Sequence, residues 1–144
     1  MASNRHAQSE VVTFLHTNPL GVLATVGPKG EPQAATVAFS ENAELELIIG
    51  TANTSRKNIN IGRDERVAFT VTDPESRFTV QYEGVAEVLS AGDFARYEAS
   101  HFAKLPMSLP FKDIPGQVYL RVRPKLVRYT DCNPTPWMTT IFTF

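Results

Sequence analysis

Apolar positions first recur at helical spacing in Ala7, Val11, Phe14 and Leu15, and Asn18-Pro19 closes that segment because the residue before a proline avoids helix. The period then shortens. Residues 21–26, 33–39 and 45–50 read as strands separated by the turn Gly27-Pro28-Lys29-Gly30 and by the polar Ser40-Glu41-Asn42. These three strands predict an antiparallel meander. Residues 55–63 interrupt it with a polar start at Ser55 and with Gly62 near the end, which predicts a helix inserted between strands. Strand character resumes over 67–72, before the turn Asp73-Pro74-Glu75-Ser76.

From Phe78 the even positions Val80, Tyr82, Gly84, Ala86 and Val88 oppose the odd Thr79, Gln81, Glu83 and Glu87, predicting one long strand with a buried and a wetter face. Gly84 in its middle predicts a bend or bulge. Ser90 with Asp93 resembles a capping box for a helix carrying Phe94, Tyr97, His101, Phe102 and Leu105 on one face and ending at Pro106. A proline-broken loop follows over 105–115. Residues 117–123 alternate with Val118, Leu120 and Val122 inward, and the pattern continues past Pro124 to Tyr129. About six antiparallel strands with short turns and helical interruptions predict a mainly β fold, a closed or nearly closed barrel with α decorations. Tight turns exclude a doubly wound parallel sheet, which needs long crossovers. Without repeats or linkers, residues 1–144 read as a single domain.

Composition narrows the chemistry. The chain has 144 residues, 42% hydrophobic and 20% charged, enough for a real core. A net charge of -1 supplies no global basic field for nucleic acid or an anionic membrane, so a bound anion must be caught locally. Cys132 is the single cysteine, which excludes an internal disulfide and a cysteine-built zinc site. The polar opening Met1-Ala2-Ser3-Asn4-Arg5-His6 lacks the apolar core of a signal peptide, and a cytoplasmic location is the expectation.

The local anion trap is Thr54-Ser55-Arg56-Lys57, which opens the inserted helix. Arginine offers a planar fork of donors and lysine a compact charge, while a helix start adds free backbone N–H groups and a partial positive charge. A solvated basic turn is the plainer reading of the same four residues. No glycine motif of the Rossmann or P-loop kind is present.

The ordered residues Gly50-Thr51, Ser55-Arg56-Lys57, Asn60-Ile61, Asp64-Glu65-Arg66-Val67 and Tyr82-Glu83-Gly84-Val85-Ala86-Glu87 decide between them. This pattern, from about residue 11 to 129, resembles the FMN-binding split-barrel family related to pyridoxamine 5'-phosphate oxidase, which includes general stress protein and flavin oxidoreductase members. The resemblance implies a six-stranded antiparallel split β-barrel and a homodimer with FMN at the subunit interface. It places Arg56 and Lys57 on the FMN phosphate, Ser55, Thr51 and Gly50 beside them, and the strand Thr36, Val37, Ala38 and Phe39 beneath the flavin ring. Thr79, where the oxidases carry glutamine, and Gln81 are the candidates on the long strand. Small residues at Ala35, Ala38, Gly50 and Ala52 fit a close approach by the cofactor, which itself carries the redox chemistry.

The resemblance weakens at the end of the chain. The oxidases finish in an arginine- and histidine-bearing segment that grips the vitamin's phosphate, whereas this chain has no cation after Arg128. Pyridoxamine phosphate oxidation is therefore not expected, and the implied function is an FMN-binding oxidoreductase acting on an unknown small molecule. Two variants stand beside it: a deazaflavin (F420) dependent reductase, and a non-catalytic flavin- or heme-binding stress protein. Trp137 and the apolar tail to Phe144 read first as dimer surface, with contact to the flavin as the alternative for Trp137. His6, His16 and His101 are too scattered for a metal site, and Cys132 has no partner motif. Arg63, Arg66 and Arg77, like the set Arg121, Arg123, Lys125 and Arg128, read as solvated cations.

Overall fold

The computed structural model describes residues 6–144; residues 1–5, which carry most of the signal-peptide reading, lie outside the described residues. Helix α1 (Gln8–His16) is followed by β1 (Leu20–Val26), β2 (Pro32–Ala38), β3 (Ser40–Glu41), β4 (Leu47–Ala52) and α2 (Arg56–Arg63). Next come β5 (Arg66–Asp73), β6 (Phe78–Val88), α3 (Ala91–Phe94), α4 (Glu98–Lys104), a 3-10 segment (Pro106–Phe111), β7 (Gln117–Asp131) and β8 (Met138–Thr143). All strand pairings are antiparallel, in the order β2-β1-β5-β6-β7-β4-β3, with β8 also on β7. The sheet curls into a half-barrel with helices as decorations, a split barrel of the mainly β class that the strand pattern predicts.

Its core forms where alternating faces meet: Leu23 of β1, Ile49 of β4, Phe69 and Val71 of β5, Tyr82 of β6 and Leu120 of β7, closed at one end by Val11 and Leu15 of α1. The Tyr82 hydroxyl, buried with them, donates to the Leu45 carbonyl at 2.7 Å, so the one polar atom of that ring is satisfied. Gly84 marks the expected bulge. The β6–β7 register shifts between Glu83 and Gly84, and a Cβ on Gly84 would stand 2.3 Å from the Arg123 carbonyl oxygen. Pro124 pairs with Gly84 at this irregularity, a position where a missing N–H is tolerated.

Several expectations change. The first three strands are not a meander, because β4 pairs with β3 and β7 and not with β2. The reason is the length of β7: β6 covers one of its edges, and its other edge needs β4 opposite residues 117–122 and β8 opposite 126–131. The apolar tail is thus partly accounted for inside the chain as strand β8, with Phe142 packed on the core while Trp137 and Ile141 stay exposed. These two short elements, β3 and β8, raise the strand count among the described residues to eight.

The helix read over 90–105 is two helices. Arg96 N bonds to the Asp93 carbonyl and Tyr97 N to that of Phe94, a tightened turn that separates α3 from α4. Its apolar face is nonetheless used: Phe94, Tyr97 and Phe102 pack with Ile48 and Tyr119 on the outer side of β4 and β7, a second small core. The loop read over 105–115 contains the 3-10 segment, started by Pro106. Arg121 is not solvated, since it is ion-paired with Glu87 and donates to the Tyr97 hydroxyl at 3.0 Å.

A buried ion pair ties α4 to the other end of the chain. The Lys104 ammonium, with its side chain 4% exposed, meets Glu41, 2% exposed, and donates to the Leu15 carbonyl at 2.9 Å. It also lies 3.7 Å from the centre of the Phe39 ring. His16 Nδ1 reaches the same Glu41 carboxylate at 2.7 Å.

Candidate functional site

Helix α2 begins as its sequence predicts. Ser55 is the cap, its Oγ accepting from Asn58 N at 3.3 Å and from Thr51 Oγ1 at 2.9 Å. With both acceptor positions engaged, the Ser55 hydroxyl proton is left for an outside acceptor. The Arg56 and Lys57 backbone N–H groups have no partner among the described residues, and neither side chain is ion-paired there. The first turn carries no acidic residue. Both residues line a pocket of about 120 Å³ with Leu23 and Thr25 of β1 and with Gln33 and Ala35 of β2. Donors, charge and concavity here converge on a small anion.

The helix is fastened by a residue that composition did not single out. Asn60, buried, donates from Nδ2 to Thr25 Oγ1 and to Gln33 Oε1, each at 2.9 Å. Arg63 donates to Asn60 Oδ1 at 2.8 Å and to the Val26 carbonyl at 3.1 Å, so this arginine locks α2 to β1 and is not a free surface cation. Arg66 pairs with Asp64 at 2.6 Å, and Arg77 donates to the Cys132 carbonyl at 2.9 Å. The hydrogen bonds from Arg66 hold the Asp64 carboxyl down, to about 2. In the sequence Asn60 stands only as part of the Asn60-Ile61 step of the family pattern, with no role attached to it.

A larger cavity of about 380 Å³ is lined by Thr51. Ala38, Gly50 and Thr51 form its floor and Gln117 and Tyr119 a wall, while Phe111 and Ile114 close it from the 3-10 segment and its exit. His101, 1% exposed, lines it as well, with Nδ1 held by Ser40 Oγ at 2.7 Å. Burial, aided by the nearby Lys104 cation, pushes the His101 imidazole down to about 4. Its ordinary value is near 6.5 in the unfolded chain, so on acidification the unfolded state takes up the proton first and stability falls between pH 6.5 and 4. On the order of 2–3 kcal/mol is at stake. Urea midpoints measured across this window should fall more steeply for the wild type than for His101→Gln; equal slopes would show that His101 does not set the acid limit.

The remaining site candidates lie elsewhere in the chain. Val37 and Phe39 are core residues, so only their backbone can reach a ligand, whereas Thr36 is exposed. Pairings align Thr36, Val22, Thr70, Gln81 and Arg128 in one row across the outer face of β2, β1, β5, β6 and β7. Thr36 and Gln81 are therefore about 14 Å apart at ordinary strand spacing. Thr79, bonded to Thr72 Oγ1 at 2.8 Å, sits on the row opposite Thr72, while Thr25 at the cationic pocket sits opposite Val67. That separation is about 17 Å along the strand. Trp137, 65% exposed, lies just before the Met138–Asp131 pair and so at the Thr79 end. Within one chain, Arg56, Lys57, Ser55, Thr51 and Gly50 are brought together; Thr79, Gln81 and Trp137 are not brought to them.

Comparison with known proteins agrees with this geometry. A family model described as pyridoxamine 5'-phosphate oxidase matches residues 7–131. A 5a,11a-dehydrotetracycline/5a,11a-dehydrooxytetracycline reductase from Streptomyces rimosus is 36% identical over 89 residues, 56% of this chain and 63% of the reductase, so the match leaves more than a third of that protein uncovered. Among solved structures, a heme binding protein from Mycobacterium smegmatis superposes with a TM-score of 0.82 at 20% identity, over 99% of this chain and 60% of that one. A pyridoxamine 5'-phosphate oxidase-related, FMN binding protein from Nostoc punctiforme superposes with a TM-score of 0.69 at 17% identity, over 94% and 95% of the two chains. Both structural likenesses are likenesses of fold.

Proposed function

Since the chain belongs to the pyridoxamine 5'-phosphate oxidase family, we propose that it binds FMN through Arg56 and Lys57 and serves as a flavin-dependent oxidoreductase for a small molecule other than pyridoxamine phosphate. The observation that carries this reading is the start of α2: two cations without ionic partners among the described residues, two free backbone N–H groups and the Ser55 hydroxyl proton converge beside a pocket. A phosphate monoester satisfies all of them at once. The flavin supplies the redox chemistry; the chain binds and orients it and excludes water. Thr51, bonded to Ser55, holds the cap in place.

The outer sheet face supports a homodimer. Leu20, Val22 and Ile141 are exposed there among the small Ala24, Ala68 and Thr70, an apolar stretch bordered by Gln81, Glu83 and Arg128 that a second copy of the same chain would cover. In such a dimer Thr79, Gln81 and Trp137 of one copy are free to approach the anchor of the other, which a single chain cannot arrange. The test is direct. Purified protein titrated with FMN should quench flavin fluorescence at one FMN per chain and elute at twice the monomer mass; hemin and F420 titrated in parallel separate the heme and deazaflavin variants. Failure to bind FMN removes the proposal, and a monomer that binds it removes the shared site. The S. rimosus relative carries a reductase name, which favours reduction of an unsaturated compound over phosphate-ester oxidation as the reaction to assay.

A further inference from the structure

The cavity between β4 and the 3-10 segment does work that the phosphate anchor does not need. Among the described residues its wall contains no charged side chain, and Lys112, just past the covering segment, is already paired with Glu98. An ionic ligand would lose its hydration there without gaining a counter-charge. The cavity's size falls within the range that small molecules occupy, about 300–1,000 Å³. Apolar side chains surround its cover: Met107, Leu109, Phe111 and Ile114 are all exposed.

One polar group in the wall lacks a use. Tyr119 is 8% exposed, yet its hydroxyl is buried without a well-formed hydrogen bond among the described residues; a weak interaction with the Gln117 side chain only partly offsets the effect of burial. Buried hydroxyls are ordinarily satisfied, and leaving one unpaired costs stability. Burial, first among its influences, pushes the phenol above its usual range, so it remains a donor at neutral pH. Its ring is clamped against Phe94 at 3.7 Å between centroids and 6° between planes, which fixes where the hydroxyl stands. Space beside it depends on Gly50, where a Cβ would come within 2.8 Å of Gln117 Nε2 and 3.1 Å of the Tyr119 ring.

We propose that this cavity binds an uncharged, largely apolar small molecule through a carbonyl oxygen that accepts a hydrogen bond from Tyr119, with the 3-10 segment as its apolar cover. Calling that molecule the substrate rests on the flavin reading above; the binding site itself does not. Thr51 joins the two, since it floors the cavity and bonds to Ser55 at the phosphate anchor.

Two probes of equal shape and opposite charge character test this: 2-acetonaphthone, a neutral ketone, and 2-naphthoate, its anionic counterpart. Calorimetry on the full chain should show the ketone binding about tenfold or more tightly than the carboxylate, because one unpaired buried charge outweighs any shared stacking. Tyr119→Phe should weaken the ketone about five- to tenfold, the value of one hydrogen bond. The same variant should melt no lower than the wild type, since the hydroxyl it removes has no well-formed hydrogen bond, and should bind FMN unchanged. The doubly substituted Arg56→Ala/Lys57→Ala protein should still bind the ketone. Equal affinity for both probes, no binding of the ketone, or an unaltered affinity in Tyr119→Phe would overturn the proposal. Loss of FMN affinity in Tyr119→Phe would instead assign the cavity to the flavin ring and overturn it too. A wild type that binds the ketone but not FMN would remove the flavin reading alone.

Discussion

Replacing both Arg56 and Lys57 with alanine is expected to weaken FMN binding by about two to four orders of magnitude, from about 1.5–3 kcal/mol for each charge-assisted contact to phosphate. Neither side chain is ion-paired among the described residues, and both stand at the exposed start of α2, so the folded state loses little when they are removed. That asymmetry makes the test clean: urea midpoints should stay within about 0.5 kcal/mol of the wild type while fluorescence titration shows the loss. Each single substitution should account for part of it. Arginine-to-lysine at position 56 should recover charge but not the planar fork, and hence only part of the affinity. An FMN affinity unaltered in the double variant would exclude these residues from the site, whatever the family implies.

The second large effect concerns stability. Lys104→Ala is expected to cost about 3–5 kcal/mol, because it leaves the Glu41 carboxylate buried beneath α4 without its ammonium partner. Burial lowers the Lys104 ammonium below its usual range despite the opposing pull of Glu41, so desolvation outweighs attraction in this pair. The pair is therefore not itself a strong source of stability. Breaking it is what is costly, and a combined Lys104→Met/Glu41→Leu variant should be far less destabilised than either single change. His16 moderates the outcome by keeping one hydrogen bond to the carboxylate when it is present. Equilibrium urea unfolding of the two single variants and the double variant measures the coupling; a Lys104→Ala cost below about 1 kcal/mol would mean that water or His16 compensates the carboxylate in full.

The pair also shows what escapes a reading of the chain in order. Glu41 lies in a short polar turn and Lys104 near the end of a helix, and each alone resembles a solvated surface charge. Their encounter depends on α4 crossing β3, a contact 63 positions apart in sequence. Tyr119 was hidden for a related reason. Its neighbours Leu120 and Val122 face the main core, which left the odd positions of β7 as the wet side until α3 and α4 covered them. Of the β7 cations only Arg121 departs from the solvated reading, since it lies under that cover and pairs with Glu87, while Arg123, Lys125 and Arg128 are exposed.

The sequence by itself determined the local periods: six of the strand segments and the start of α2 follow from alternation, turn residues and one capping serine, because these depend on neighbours a few positions away. It also determined the anchor, since Ser55, Arg56 and Lys57 are adjacent and need only a helix start to act together. Only the tertiary structure decided which edges pair, that β7 is long enough to take both β4 and β8, and that Thr51 lines an uncharged cavity while bonding to the cap of the cationic helix start. Those outcomes rest on satisfying backbone groups and burying apolar faces across the whole chain, a balance set by distant partners and by no local pattern.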